Sequence, residues 1–242
     1  AIQGEGRQFV ATLVRVNDRR VASGKDFDPQ TGGLKNANVR LIDEAGARAL
    51  AEAVRAHVPW QVASVEQKPG VERPAPPFTT STLTQEASRK LGFATERTMQ
   101  VAQRLFQGLE GVGNSQGLIT YHRTDSTTLS DKALQESARV IRGMFGDEYY
   151  GEPRRYQTRV KNAQEAHEAI RPTDLSRTPA MVRRYLKPDQ HKLYTLIWRR
   201  FMASQMKPAV YNVTTVTVHT GRAGQRLPYV FRATGRELLD PG

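Results

Sequence analysis

The chain has 242 residues, 38% of them hydrophobic and 25% charged, an ordinary balance for one large domain or two modest ones. It contains no cysteine, which excludes a disulfide framework, a thiolate zinc site and a thiol nucleophile, and no stretch approaches the roughly 18 uncharged apolar residues of a membrane span. Thirty-six Lys and Arg against 24 Asp and Glu give +12, which fits either a polyanionic partner or a solvated basic face.

In chain order, Phe9, Ala11, Leu13 and Arg15 alternate with Val10, Thr12, Val14 and Val16, a period of two that predicts a strand. Turn chemistry follows at Asn17-Asp18 and over Asp28–Gly33. Asp43 is placed to cap a helix with Ala47, Leu50, Ala51 and Val54 on one face, and Val58 to Gln67 reads as another strand. Pro69-Gly70 and the cluster Pro74, Pro76, Pro77 end this section and form the clearest boundary in the sequence.

Beyond that boundary the period changes to 3.6. Thr82 with Gln85 is a capping-box pattern opening a helix to about Leu91. Gly92-Phe93 breaks it, and Thr95 is placed to cap a second helix with Met99, Ala102, Leu105 and Phe106 inward, a helix-turn-helix silhouette. After a glycine-rich loop over 108–117, Gly117 to Tyr121 reads as a short buried strand, Ser130 caps a helix through Phe145, and another helix starts near Asp189. From Pro208 the alternation returns: residues 210–218 form a strand that Leu227 to Thr234 could pair with as a hairpin. The expected class is therefore α+β, a helical domain over 79–205 inserted into a discontinuous β-rich domain made of 1–78 and 206–242. Residues 79–205 hold 20 basic and 13 acidic side chains, so the insert carries +7 of the excess charge.

Two polar clusters could do chemistry. In Tyr121-His122-Arg123-Thr124-Asp125-Ser126-Thr127-Thr128 the tyrosine is a candidate nucleophile toward phosphorus; its ordinary pKa of about 10 requires a neighbouring cation or base, and Arg123 could supply the charge and stabilise a phosphorane. The competing reading is a half-buried strand tyrosine followed by an Asp/Ser/Thr turn. In Glu165-Ala166-His167-Glu168-Ala169-Ile170-Arg171-Pro172-Thr173, a helical turn would put His167 and Arg171 on one face, both able to reach a phosphate. The competing reading is a helix end whose His and Arg satisfy local carbonyls and carboxylates. No metal site is expected: the second His of a zinc helix is missing, and Asp26-Phe27-Asp28 lacks the further ligands of a calcium loop. No GxxxxGK[ST] cradle for ATP is present.

The segments Pro77-Phe78-Thr79-Thr80-Ser81-Thr82-Leu83, Gly117 to Thr127 and Glu165 to Thr173, in that order, together with Tyr194-x-x-Ile197-Trp198-x-x-Phe201, resemble the middle of the bacterial topoisomerase I family, the type IA topoisomerases. The resemblance extends over most of the chain. It implies that Tyr121 attacks one strand of DNA, forming a 5′-phosphotyrosine and freeing a 3′-hydroxyl, and that DNA passes through the gap before resealing without ATP, which relaxes negative supercoils. It implies a transition-state role for Arg123 and DNA contacts for His167, Arg171, Asp125 and Ser126. It further implies that the helical insert resembles winged-helix (CAP-like) DNA binders, that the β pieces form an arch, and that the partner is single-stranded or negatively supercoiled DNA in a bacterial cytoplasm, at the nucleoid, with no membrane partner. The family's Toprim domain, whose acidic residues hold Mg²⁺, has no counterpart here. The chain is accordingly expected to be an inactive fragment that needs the missing Toprim and adjoining domains and binds no metal itself. Two departures stand out: His122 occupies a position often apolar in the family, and the segment Glu110 to Gln116 looks long. Outside this family, the remaining readings are a non-catalytic basic DNA-binding module and a structural scaffold.

Overall fold

The computed structural model describes residues 2–4, 7–108, 117–156, 168–221 and 228–242, with backbone only for 2–4 and 7. The chain divides into two units, one of Ala1–Val71 with Val210–Asp240, the other of Glu72–Ala209 with Pro241–Gly242.

The first unit is β-rich. Strands β1 (Ile2–Gly4) and β2 (Arg7–Phe9) pair antiparallel. A mixed six-stranded sheet contains β3 (Thr12–Val16), β4 (Arg19–Val21), β5 (Val39–Arg40), β6 (Trp60–Glu72), β7 (Ala209–Thr220) and β8 (Tyr229–Asp240), in the order β5-β4-β3-β8-β7-β6. β7 and β8 form the expected antiparallel hairpin, with Thr217 opposite Arg232 and Thr215 opposite Thr234; Leu227 lies outside the described residues. Helix α1 (Glu44–Ala56) is capped by Asp43, whose carboxylate accepts the Gly46 N–H at 2.7 Å. Its Leu50 and Val54 pack with Val16 and Tyr229 in a small core.

β6 runs through Pro69-Gly70 instead of ending there. A proline lacks the ladder N–H, but β6 lies at the sheet's edge, where that loss is tolerated. A side chain at position 70 would stand 2.7 Å from Val213 Cγ2, so glycine permits the close strand contact. Among the turns, the Asp28 carboxylate accepts from the Gln30 and Thr31 N–H groups, and Asp26 is bonded to Arg20, the Ser23 N–H and the Ser23 hydroxyl. Both acids are consumed by local structure.

The second unit is helical: α2 (Thr80–Leu91), α3 (Thr95–Gln107), α4 (Asp131–Phe145), the short α5 (Pro179–Val182) and α6 (Pro188–Gln205). The α2 cap sits three residues earlier than its sequence pattern suggests. Thr79 and Thr82 exchange hydrogen bonds, Thr79 N–H to Thr82 Oγ1 at 2.9 Å and Thr82 N–H to Thr79 Oγ1 at 3.3 Å. Gly92, at φ 68°, ends the helix in the left-handed conformation, with its N–H on Ser88 O and the Phe93 N–H on Ala87 O. Thr95 is the first residue of α3 rather than its cap; Ala94 holds that place without a side-chain bond. Ser130 caps α4 as expected, through Ala133 N–H. α6 carries Leu193, Tyr194, Ile197, Trp198, Phe201 and Met202 into a continuous core with Phe78, Leu83, Leu105, Leu118, Ile119 and Ile141. Phe78 is fully buried in this core, so the expected junction at 78/79 falls inside the helical unit rather than at its edge. The architecture is α+β, a helical insert within a β-rich unit.

Candidate active site around Tyr121

Three segments far apart in sequence are stitched together by backbone bonds in the helical unit. Ile170 N–H reaches Phe78 O at 2.8 Å, Ala169 N–H reaches Thr128 O at 2.9 Å, and Thr120 N–H reaches Arg171 O at 2.9 Å. Thr173 closes the far end, its N–H on Leu118 O and its hydroxyl on Gly117 O. These are the motif segments around Phe78, Tyr121 and Arg171.

Residues 117–121 are buried at Leu118 and Ile119 but bend at Leu118 and Thr120, and they form only an isolated bridge, Ile119 to Pro172. The donors that would extend the ladder are taken elsewhere: the Arg171 N–H goes to Thr120 Oγ1 at 3.0 Å and the Leu118 N–H to Leu105 O at 2.7 Å, so the expected strand stays a single bridge. Gly117 lies against the end of α3: a Cβ there would fall 1.8 Å from Phe106 O, so only glycine fits. The expected helical turn at the Arg171 motif is also corrected. Its described part, residues 168–173, is extended, with bridges at Ile170 and Pro172. The carbonyls of Phe78 and Thr128 claim its N–H groups, and an extended backbone meets them where a helix would not. His167 and residues 109–116, including the segment from Glu110 to Gln116, lie outside the described residues.

From Tyr121 to Ser126 exposure alternates residue by residue. Tyr121, Arg123 and Asp125 are exposed; His122, Thr124 and Ser126 are buried. The phenol, the guanidinium and one carboxylate are thus each open to solvent, on a segment that bends at His122 and Arg123. Thr80, the first residue of α2, fixes this backbone. Its hydroxyl donates to His122 O at 2.8 Å and accepts from Thr124 N–H at 2.9 Å, while its own N–H donates to Thr124 O. The inward residues continue the work: Thr124 Oγ1 accepts from Ser126 N–H, and Ser126 Oγ accepts from Thr128 N–H. Ser126 thus turns away from solvent and secures the chain.

Tyr121 is 41% exposed, with one side of its ring covered. Phe106 meets it edge-on at 5.3 Å and His122 at 5.5 Å. His122 is 1% exposed, and its Nδ1 has no hydrogen-bond partner among the described residues. Burial first, and then the neighbouring Arg123 charge, lower its pKa and favour the neutral ring. Arg171 also points inward: it pairs with Glu168 at 2.6 Å and donates to Pro172 O at 2.8 Å. Glu168 in addition accepts the Ser130 N–H at 2.7 Å, tying this segment to the cap of α4. Burial works to raise the Glu168 pKa, but the bonds from Ser130 and the Arg171 charge hold it below the ordinary glutamate value.

The structure therefore exposes Tyr121, Arg123 and Asp125, and turns Ser126 and Arg171 inward. Sequence reasoning missed Thr80, Glu168 and Phe106. Thr80 and Glu168 lay within quoted motifs, but nothing local marked Thr80 as the clamp on a segment 42 residues away. Phe106 carried only the signal of an inward helix position.

Residues 15–242 match the family model described as DNA topoisomerase. DNA topoisomerase 1 of Mycolicibacterium smegmatis is 48% identical over 239 residues, covering 97% of this chain and 24% of that protein. The Streptomyces coelicolor protein of the same name is 50% identical over 236 residues, covering 97% and 23%. Among solved structures, full-length topoisomerase I from Thermotoga maritima superposes with a TM-score of 0.66 at 36% identity, over 97% of this chain and 36% of that one. The chain spans about a quarter of the length of these curated relatives.

Proposed function

The chain belongs to the DNA topoisomerase family, and from that membership we propose that it supplies the nucleophile of a type IA enzyme, with Tyr121 as the residue that cuts DNA. The phenolic oxygen attacks a backbone phosphorus and loses its proton. The bond from phosphorus to the 3′ oxygen breaks, that oxygen takes up a proton, and the 5′ end remains esterified to the tyrosine. Because one phosphoester replaces another, the freed 3′-hydroxyl can reverse the step and reseal the strand, relaxing negative supercoils with no nucleotide consumed.

The observation that carries this reading is the alternation from Tyr121 to Ser126, locked by Thr80. It leaves Arg123 exposed, two residues from the nucleophile. There a permanently charged guanidinium can meet the charge that develops on phosphorus. Asp125, exposed too, accepts from base N–H groups rather than from phosphate. Ser126 and Arg171 act on DNA through the backbone they hold, and Phe106 and His122 restrict the tyrosine ring. His167 is a further phosphate contact.

Mg²⁺ belongs to the family's chemistry, but the residues at this site do not fit it. Among the described residues of these segments, the carboxylates are Glu168, engaged by Arg171 and Ser130, and Asp125, two residues from Arg123. We assign the ligands of that ion to residues outside these 242. The chain alone is accordingly expected to bind single-stranded or negatively supercoiled DNA without relaxing it. It acts with the remaining domains of its enzyme at the bacterial nucleoid. Among the described residues no helix is long and apolar enough to cross a membrane.

The test is recovery of the covalent intermediate. In the full-length enzyme carrying this sequence, Tyr121→Phe should abolish the denaturant-resistant DNA adduct while leaving the fold and DNA affinity nearly intact, since only the attacking oxygen is lost. Persistent relaxation by Tyr121→Phe would overturn the assignment, and would leave a non-catalytic DNA-binding module as the reading of this region.

A further inference from the structure

A second basic feature lies elsewhere in the helical unit. Between the C-terminal half of α2 and the exposed side of α6 is an open cavity of about 620 Å³, lined by Glu86, Lys90, Lys192, Thr195, Arg199 and Arg200 among others. Four cations face one carboxylate. That carboxylate is already shared: Glu86 pairs with Lys90 at 2.7 Å, with Arg200 at 3.5 Å and with Arg89 at 3.9 Å. Arg200 is anchored further by the Phe78 ring, 4.4 Å from its guanidinium, and by Pro76 O. The wall of the cavity is thus fixed in place by its own ion pairs.

Lys192 and Arg199 differ from these. Both are exposed, neither has a carboxylate partner among the described residues, and they stand seven residues apart on one face of α6. At 1.5 Å rise per residue they are separated by about 10 Å along the helix. Two solvated, unneutralised cations flanking a concave surface that is already net positive have the charge to hold successive parts of a polyanion, and a fixed wall makes the seat specific in position.

The position is informative. Thr80 at one end of α2 clamps the Tyr121 segment, while Lys90 at the other end lines this cavity. Ten residues of helix separate them by about 15 Å. The phosphodiester being cut cannot occupy both places.

We propose that this cavity is a second DNA-backbone seat, holding sugar-phosphate away from the scissile bond, with Lys192 and Arg199 as the residues that grip it. The inference rests on the DNA reading of the family and adds to it a site on the face of α6. Phosphate contacts of this kind carry no base specificity; they set where the strand lies.

The experiment uses the 242-residue chain, a labelled oligothymidylate of roughly 20 nucleotides, and a salt titration of binding. Each phosphate contact on a single strand contributes about 0.7 to the slope of log K against log salt, so the double variant Lys192→Ala/Arg199→Ala should flatten the slope by about 1.4. The control is Lys132→Ala/Arg139→Ala, which removes the same charge at the same spacing from exposed positions of α4; its slope should match the unmodified chain. If the unmodified chain binds with a steep slope and the α6 variant is unchanged, or the control loses as much, the seat is overturned and the DNA reading stands. If the unmodified chain shows no salt-sensitive binding at all, both fall.

Discussion

The two units of this chain are built to different depths. The helical unit encloses Phe78, Leu83, Leu105, Leu118, Ile119, Ile141, Ile170, Leu193, Ile197 and Phe201 at 1% exposure or less. Among its described residues the β-rich unit gathers a core cluster of Val16, Leu50, Val54 and Tyr229, and leaves Val62, Val65, Leu238 and Leu239 more than half exposed. The lesson concerns placement. A nucleophile must be held to a fraction of an ångström, and such precision comes from a packed interior that resists displacement. A thin layer of strands behind one helix can span distance but cannot fix a side chain so tightly, and the exposed Tyr121 side is built on the deeper unit.

That contrast can be broken by truncating each core. Phe201→Ala removes a ring from the centre of the helical unit and should cost about 3–5 kcal/mol there. Leu50→Ala, in a layer able to relax around the gap, should cost about 2 kcal/mol in the β-rich unit. Urea unfolding followed by near-ultraviolet and far-ultraviolet circular dichroism should show each variant moving a separate transition. A single transition shifted equally by both would show the units to be one cooperative body.

A smaller effect would sharpen it at the site. Thr80→Val keeps the shape of the side chain but leaves His122 O and Thr124 N–H without that partner. Two part-buried groups losing one hydroxyl should cost about 1–3 kcal/mol. In the full-length enzyme, adduct formation should fall more than DNA affinity, because the backbone bearing Tyr121 is loosened while the basic surface is unchanged. Equal losses in both would assign Thr80 a general structural role.

The smallest effect is the response to pH. The lowered pKa of His122 means the folded state takes up a proton less readily than the unfolded chain does. Its contribution is therefore intact above the ordinary histidine value of about 6.5, and is lost as pH falls through that value toward the lowered one. His122→Leu should remove this part of the acid sensitivity. The midpoint difference between variant and unmodified chain in the helical transition should move in the variant's favour from pH 7 to pH 5. The same difference at both pH values would count against a buried neutral ring.

Legibility in the sequence followed the reach of the interaction. Asp43 and Ser130 cap helices through bonds three residues long, and the β7–β8 hairpin alternates along its own length, so all three were readable. The start of α2 was misplaced because Thr79, Thr80 and Thr82 are all able caps, and choosing among them requires the tertiary task that Thr80 performs. The Arg171 segment has helix-forming composition but is extended, since Phe78 O and Thr128 O recruit its N–H groups. At the site, Tyr121 and Arg123 were visible as a local pattern. That Ser126 and Arg171 turn inward depended on neighbours from three segments.

The order of strands has one more consequence. β6 leads the chain out of the sheet and β7 brings it back, and the two lie side by side, with Gly70 against Tyr211 and Val213. To the sheet, everything between them is one long loop with its ends together, and the entropy of closing a loop grows only with the logarithm of its length. The helical unit is therefore a cassette. A short turn joining β6 to β7 should leave the strand order of the host intact, and the excised helical piece, which keeps its own interior, is a candidate for transplantation into any sheet that offers two neighbouring strand ends.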